Sequence, residues 1–291
     1  MTVGAVALVL GATGEARATY SIVATDRASR QVGGAGASCV GAVSVRVVYG
    51  SVPGVGAVHA QASLGGPGKD GAVARLAMGL APADIVAAIT DPAFDDQAAR
   101  RQYGIVDLQG RAAGYTGADD GVFAADRQGR VGAFTYAVQG NLLTSGAVID
   151  HAEAGFTAGG CDLADRLMRA LEAGAADGEG DRRCTVGGLP ADSAFLEVDR
   201  DGEPAGGFLR LEVTATAPAS PLPRLRGLYD AWRATHACPA PTVDAGTEAG
   251  TDDGGCCRGG RAGARPGIVL AALAALLLRR RRRRAAGQTL R

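Results

Sequence analysis

The chain has 291 residues, 30 basic against 30 acidic side chains and 47% hydrophobic residues, which excludes disorder throughout and suits one good-sized domain. The charge is unevenly distributed. Residues 258–291 contain 10 arginines and no acid, so 1–257 hold 20 basic against 30 acidic residues, a net charge of −10. Such an acidic body repels phosphate backbones, so nucleic acid is not an expected partner.

The first residues are typical of an export signal. Residues 3–10 (VGAVALVL) form a short apolar run, and Ala16-Arg17-Ala18 has the small-x-small pattern of a signal-peptidase site. The sequence therefore predicts a signal peptide over 1–18 and a mature chain that begins at Thr19. A signal peptide usually has a basic residue before its apolar run, and none precedes residues 3–10. The alternative is that this run forms a buried first strand.

The next segments alternate as strands do. Residues 19–25 (TYSIVAT) and 32–38 (VGGAGAS) are separated by a polar turn and predict a hairpin. The second strand is so rich in Gly and Ala that another element must pack closely over it. Residues 43–49 and 54–62 continue the strand-like pattern.

Helical and strand-like patterns then occur in groups. Apolar residues at helical spacing predict helices over 69–79, 83–89, 146–156, 163–173 and 222–235. Further strands are predicted over 102–107, 112–116, 133–138, 194–198 and 208–213. Runs of hairpins with helices grouped between them favour an α+β layered domain over 19–237, rather than an alternating βαβ sheet.

The C-terminal region has the order of a sorting tail. Residues 238–257 are rich in Pro, Thr, Asp and Gly and predict a flexible, disordered linker. A short apolar helix is predicted over 268–278, and six consecutive arginines follow it. Eleven apolar residues span about 16 Å, only half of the roughly 30 Å hydrocarbon layer, which favours a transient signal over a permanent span.

The tail resembles the myxobacterial C-terminal sorting tails of the MYXO-CTERM type, which place small residues and Cys before a short hydrophobic helix and an arginine cluster. The resemblance implies sorting over 258–291, with processing near Cys256 or Cys257. It also implies partners in the export and sorting machinery and a surface or outer-membrane location. A plain C-terminal membrane anchor is the alternative.

Six cysteines in an exported chain suggest disulfides. Outside the tail pair, four remain and allow three connectivities: Cys39, Cys161, Cys184 and Cys238. The favoured pair is Cys161–Cys184, because these two residues bracket the helix predicted over 163–173. The remaining pair is then Cys39–Cys238.

No metal or other cofactor is predicted. The sequence has no Cys-x-x-Cys, and the three histidines are scattered: His59, His151 and His236. Each histidine is expected to be an ordinary surface or core residue.

Thr19 is the candidate nucleophile. A threonine hydroxyl needs a base to take its proton, and an N-terminal threonine carries one in its free α-amine, whose ordinary pKa is about 8. Signal cleavage after Ala18 would create this group.

Several blocks in order carry a family resemblance: TYSIVATD at 19–26, VGAVHAQ at 55–61, QYGIVD at 102–107, YTG at 115–117 and VQGN at 138–141. Together they resemble the domain of unknown function 1028 family, which is similar to the N-terminal nucleophile (Ntn) hydrolases. That similarity implies a four-layer αββα sandwich. Other members begin Met-Thr-Phe-Ser, so Met removal exposes the matching threonine. The family has no settled activity.

The resemblance implies roles for individual residues. Thr19 matches the nucleophile, and Asn141 matches the side-chain amide that donates to the oxyanion of the tetrahedral intermediate. Residues for orienting the amine or substrate are Ser38, Gln61, Asp107, Thr116, Gln139 and Gly140. Three of these residues also have a purely structural interpretation. Asp107 would lie in a hairpin turn, and the side chains of Ser38 and Gln61 would form hydrogen bonds with buried backbone groups.

Two functions remain open at this point. The first is an exported, surface-attached hydrolase that cleaves an amide of unknown identity through an acyl-enzyme on Thr19. The second is a non-catalytic surface or binding protein that keeps the Ntn fold as a scaffold. Threonine proteases of the Ntn class use a lysine near the nucleophile, whereas Lys69, the single lysine here, begins a predicted helix. This departure favours an amidase or an inactive relative over a protease.

Overall fold

The computed structural model describes residues 19–41, 43–185, 187–214 and 219–239. The predicted signal peptide, most of the predicted linker and the whole sorting tail, with Cys256 and Cys257, lie outside these residues.

Strands and helices alternate in groups along the chain. The strands are β1 (Thr19–Asp26), β2 (Gln31–Ser38), β3 (Tyr49–Val52), β4 (Gly56–Ala62), β5 (Arg101–Asp107), β6 (Ala112–Thr116), β7 (Ala125–Val131), β8 (Phe134–Asn141), β9 (Ser193–Arg200) and β10 (Leu209–Thr214). The α-helices are α1 (Gly68–Ala77), α2 (Pro82–Ile89), α3 (Ala147–Thr157), α4 (Leu163–Ala173), α5 (Arg182–Thr185) and α6 (Pro221–Arg233). Short 3-10 helices occupy Val45–Val48, Ala98–Arg100 and Ala176–Gly178.

The strands form two antiparallel sheets. One sheet has the order β10-β9-β2-β1-β8-β7, and the other has the order β3-β4-β5-β6. Because all pairings are antiparallel and the helices are grouped, the α+β class predicted from the sequence is confirmed.

Alternation along β1 shows how the chain builds its layers. Tyr20, Ile22 and Ala24 pack with α3, α4 and α6, whereas Val23 packs with residues of the second sheet. On the far side, Val58 of β4 and Ile105 of β5 pack with α1 and α2. The two sheets therefore face each other, and helices cover the outer face of each.

Most predicted elements agree with the structure, including the first hairpin, in which Thr19 pairs with Ser38. The strand predicted over 43–49 is wrong. The Ser44 side chain accepts a hydrogen bond from the Arg46 N–H and begins a 3-10 helix, Val45–Val48, so the strand starts only at Tyr49. β7 was not predicted, because its sequence ADRQGRV is largely exposed and has no apolar face.

The predicted disulfides, Cys161–Cys184 and Cys39–Cys238, are wrong: the bonds are Cys39–Cys184 and Cys161–Cys238. An 11-residue helix, α4, separates positions 161 and 184 and is about 16 Å long. Asp181, beside α5, accepts a hydrogen bond from the Cys39 N–H at 2.6 Å and so brings Cys184 to the end of β2.

At the other bond, an ion pair brings two helix ends together. Arg233, the last residue of α6, contacts Asp162 at 2.8 Å, and Asp162 is the N-cap residue of α4. This contact places the segment that follows α6, with Cys238, beside Cys161. The pairing was decided by helix packing rather than by proximity in sequence.

The two disulfides are typical of an extracellular or otherwise oxidising environment. Within the part of the chain that the structure describes, none of the helices combines the length and apolar character that crossing a bilayer requires.

Candidate active site

Thr19 is the first residue of β1, at the centre of the six-stranded sheet. It lies directly opposite Ser38 at the end of β2 and Asn141 at the end of β8. Directly opposed residues of antiparallel strands share a sheet face, so the three side chains form a row that faces the second sheet. All three are almost completely buried.

Hydrogen bonds link this row. The Thr19 hydroxyl donates to the Ser38 hydroxyl at 3.1 Å, and the Thr19 backbone N–H donates to Oδ1 of Asn141 at 3.0 Å. An N–H can only donate, so the Asn141 atom that faces it must be the oxygen, and Nδ2 points away. Among the described residues, Nδ2 of Asn141 is buried and has no hydrogen-bond partner.

Gln61 connects Thr19 to the second sheet. Its Nε2 donates to the Thr19 carbonyl oxygen at 3.1 Å and to Oε1 of Gln102 at 2.8 Å. Gln102 in turn donates to the Gly140 carbonyl oxygen at 2.8 Å and to the Thr116 hydroxyl at 3.0 Å. Thr116 and Gly140 are thus joined to Thr19 through two glutamines and do not contact it in this network.

A second branch passes through Ser21 to His59. The Ser21 hydroxyl donates to Oε1 of Gln61 at 2.6 Å and accepts from Nε2 of Gln139 at 2.6 Å. Nδ1 of His59 lies 2.8 Å from the same hydroxyl and 3.1 Å from Nε2 of Gln139, so the ring belongs to this branch. Burial lowers the pKa of His59 to about 3, so the ring is neutral at physiological pH.

Sequence reasoning missed Ser21 and Gln102 and expected His59 to be an ordinary residue. A period of two would have found Ser21 and His59, because 19 and 21, 59 and 61, and 139 and 141 are alternate positions on single strands. These pairs face the same intersheet space. Gln102 lies opposite Gln61 on the neighbouring strand, which only the strand pairing shows. His59 is a core histidine, and it is hydrogen-bonded to this polar network.

Asp107 does not belong to the site. Its carboxylate accepts hydrogen bonds from the Gln109 N–H at 3.0 Å and from the Arg111 N–H at 2.9 Å, which closes the β5–β6 turn. The Asp107 carbonyl oxygen accepts from the Thr25 hydroxyl. Thr25 is six residues from Thr19 along β1, or about 20 Å. The turn alternative is therefore correct, and the site assignment of Asp107 is wrong.

A pocket of about 510 Å³ lies next to Gln61. The wall includes Gln61 itself, the charged residues Lys69 and Arg101, and the glycine-rich segment that precedes α1. The helix predicted to begin at Lys69 begins one residue earlier, at Gly68, and the Lys69 ammonium group donates to the Val47 carbonyl oxygen at 2.7 Å. Since Gln61 also holds the Thr19 carbonyl, the pocket and the polar row share a residue.

Cys39, Cys184 and Asp192 lie close enough together to suggest a cation site among the described residues. The two sulfur atoms are joined in a disulfide and therefore offer no thiolate ligand. Asp192 instead accepts hydrogen bonds from the backbone N–H groups of Val40 and Gly41. These residues fit a structural role in the loop after β2.

Comparison with known proteins gives a family and a fold. The sequence model of a family described as "Family of unknown function (DUF1028)" matches residues 19–222. A crystal structure of a protein from Silicibacter pomeroyi, described as belonging to the same family, superposes with a TM-score of 0.60 at 25% identity. The superposition covers 74% of this chain and 89% of that one. No curated protein matches the sequence.

Proposed function

Because this chain belongs to the family of unknown function DUF1028, whose description assigns no activity, we propose from the site that it is an exported N-terminal nucleophile hydrolase. In this proposal Thr19 cleaves an amide through an acyl-enzyme. The observation that carries the proposal is the hydrogen bond between the Thr19 backbone nitrogen and Oδ1 of Asn141, at the start of the central strand.

The fold supports the proposal. Two antiparallel sheets face each other with helices on both outer faces, the order of layers in the αββα sandwich of Ntn hydrolases. The family match begins at Thr19, the same residue that signal cleavage would expose. Fold alone does not establish an activity, so the argument depends on the site.

The chemistry requires a free amine at Thr19. After cleavage between Ala18 and Thr19, the α-amine takes the place of the present N–H, and Oδ1 of Asn141 holds one of its protons. The Thr19 Oγ attacks the substrate carbonyl carbon while its proton passes to the amine lone pair. The C–N bond then breaks, the departing amine takes that proton, and water hydrolyses the ester to regenerate Thr19.

Asn141 is the proposed oxyanion donor. Its Nδ2 is buried with two N–H groups and no acceptor among the described residues, which costs free energy in the resting protein. A developing oxyanion beside Thr19 would supply the acceptor. Loss of one such donor typically raises the barrier by about 2.7 to 4 kcal/mol.

Export and surface attachment remain part of the proposal. The two disulfides support an oxidising compartment, and the predicted signal peptide supplies a route to it. Sorting through the C-terminal tail, with processing at Cys256 or Cys257, rests on the sequence resemblance. Fusing residues 245–291 to a secreted reporter tests this part: retention at the cell surface is expected, and release into the medium contradicts it.

The test of the nucleophile has two steps. N-terminal sequencing of the secreted protein is expected to give Thr19 as the first residue, and any other start removes the base and contradicts the proposal. A β-lactone probe is then expected to label the wild type and not Thr19→Ala. Thr25→Ala is the matched control, since Thr25 is on the same strand about 20 Å away. Labelling that persists in Thr19→Ala contradicts acylation at this hydroxyl.

One observation favours the scaffold alternative for the unprocessed chain. Thr19 is only 2% exposed, and its carbonyl is bound by Gln61 from the opposite sheet. A protein that keeps its leader would therefore present no reactive hydroxyl. This non-catalytic role would be favoured if the mature protein did not begin at Thr19 and the β-lactone did not label it.

A further inference from the structure

The hydroxyl of Tyr103 is buried and has no hydrogen-bond partner in the part of the chain that the structure describes. Tyr103 lies on β5, is 1% exposed, and lines the pocket next to Gln61. Among the described residues, its oxygen has no donor or acceptor within reach. A buried polar group in this state costs free energy, so a functional reason for it is expected.

The groups around this hydroxyl are suited to an anion. A Cβ at Gly68 would overlap the Tyr103 hydroxyl, so the first turn of α1 lies directly against it. No side chain of the described residues caps the N-terminus of α1, whose backbone N–H groups carry a partial positive charge. Lys69 uses one ammonium proton on Val47 and keeps two for a ligand. Gly68 and Lys69 also line the pocket.

The Tyr103 hydroxyl can donate a hydrogen bond near neutral pH. Burial, followed by the charge of Asp95, raises the pKa of Tyr103 to about 12, while Arg101 opposes this shift. The phenol is therefore protonated and neutral, and its O–H is available to an acceptor.

The balance of charge limits which anion fits. Arg101 is paired with the buried carboxylate of Asp95 at 2.8 Å, so the two charges offset each other. Asp70 also lines the pocket, but it is exposed and screened by water. Counted with Asp70 and Asp95, Lys69 and Arg101 leave no net charge, but Lys69 forms no ion pair among the described residues and offers one positive charge to a ligand. This favours one carboxylate over a phosphate dianion.

We infer that the pocket binds a carboxylate group of the substrate, through the Tyr103 hydroxyl, the Lys69 ammonium and the N-terminus of α1. The inference rests on the proposed function, since Gln61 of the same pocket holds Thr19. Apolar lining from Val43, Val47 and Leu64 leaves room for a side chain. The substrate class is then a peptide-like amide with a free carboxylate, such as an N-acyl amino acid.

Binding to the full-length Thr19→Ala protein tests the inference without turnover. The probes are N-acetyl-glycine, N-acetyl-alanine and N-acetyl-phenylalanine, each compared with its carboxamide by isothermal titration calorimetry. At least one acid is expected to bind about tenfold or more tightly than its carboxamide, the effect of a hydrogen bond to a charged group. Equal affinity within each pair, or no binding of any probe, overturns the inference.

Variants locate the effect. In the same background, Tyr103→Phe is expected to lower the affinity for the acid about tenfold. Its affinity for the carboxamide is expected to stay unchanged. Lys69→Met is expected to lower the affinity for the acid and to make that affinity less sensitive to salt concentration. Tyr115→Phe is the matched control, because Tyr115 packs against Tyr103 and does not line the pocket. Equal losses in Tyr103→Phe and Tyr115→Phe overturn the assignment of the hydroxyl.

A structural role predicts a different outcome. Tyr103→Phe breaks no hydrogen bond among the described residues, so its thermal unfolding is expected at or above the wild-type temperature. A marked decrease would show that the hydroxyl stabilises the fold and would overturn the inference. If acids bind selectively but β-lactone labelling of Thr19 fails, the hydrolase proposal is wrong and the carboxylate site remains.

Discussion

At the residue scale, the main feature is a polar layer between two sheets. Ser21, Gln61, Gln102 and Gln139 form a directed set of hydrogen bonds in which most protons have one acceptor. Buried polar networks of this kind stabilise a unique arrangement only when their members are satisfied. In this layer, the side-chain atoms without a partner among the described residues include Nδ2 of Asn141, Nε2 of His59 and Oε1 of Gln139. The hydroxyl of Tyr103, on the helix-covered face of the second sheet, is also without one.

Asp120 provides a prediction about pH. It is almost completely buried, and one carboxylate oxygen accepts from the Gly117 N–H while the other has no partner among the described residues. Burial raises the pKa of Asp120 to about 7, so the folded state holds a proton that the unfolded state loses near pH 4. Its contribution to the free energy of unfolding is therefore complete below pH 4 and is lost as the pH rises through 7.

The measurement is urea unfolding at pH 5, 6, 7 and 8. Asp120→Asn is expected to become more stable relative to the wild type as the pH rises, because the substitution removes the cost of ionising Asp120. Asp119→Asn, at an exposed neighbouring position, is the control and is expected to show only a smaller trend of the same sign, because the Asp119 charge is a lesser cause of the raised pKa of Asp120. Parallel stability curves for Asp120→Asn and the wild type would contradict the assigned cause.

At the element scale, apolar patterning found most helices and strands, while local polar chemistry decided the exceptions. The residues Val45–Val48 (VRVV) have strand-like composition, but the Ser44 cap and the ion pair of Arg46 with buried Glu197 hold them in a 3-10 helix. β7 is an edge strand with exposed polar residues, so no core-facing alternation marks it. Its pairing with β8 is what defines it.

The disulfides connect elements and provide a second prediction. They close loops with sequence separations of 145 and 77, worth about 5 and 4.5 kcal/mol in the chain-entropy model, and losses of about 2 to 5 kcal/mol are typical. Both double variants, Cys39→Ser/Cys184→Ser and Cys161→Ser/Cys238→Ser, are expected to lower the free energy of unfolding in urea. The first is also expected to slow β-lactone labelling, because Cys39 follows Ser38, which contacts Thr19.

The second double variant is the matched control for labelling, since its bond joins α4 and α6 on the outer face of the sheet. Equal labelling rates in the two variants would show that the Cys39–Cys184 bond does not position the site. A non-reducing peptide map of the secreted protein that linked Cys161 to Cys184 would contradict the pairing itself.

At the scale of the whole molecule, three apolar clusters hold the layers together. One lies between the six-stranded sheet and α3, α4 and α6, one between the sheets, and one between the four-stranded sheet and α1 and α2. Their buried members lie between Tyr20 and Tyr229. The region up to Pro241 is a compact unit by itself.

Truncation tests this organisation. A secreted chain that ends at Pro241 is expected to unfold at the same temperature as the full chain, because it keeps every cluster and both disulfides. A chain that ends at Ala237 loses Cys238, the partner of Cys161, and is expected to unfold at a lower temperature. Scanning calorimetry of both chains gives the comparison. A large decrease for the chain that ends at Pro241 would contradict an independent unit.

The sequence by itself determined the order of most strands and helices, the position of Thr19 at the start of a strand, and the family. These properties depend on neighbouring residues and on periods of two or 3.6, which any segment carries within itself. Only the tertiary structure decided which cysteines pair, that His59 and Gln102 join the network of Thr19, and that Tyr103 lines a pocket. These properties depend on which distant segments pack together, and packing of the complete core sets those distances.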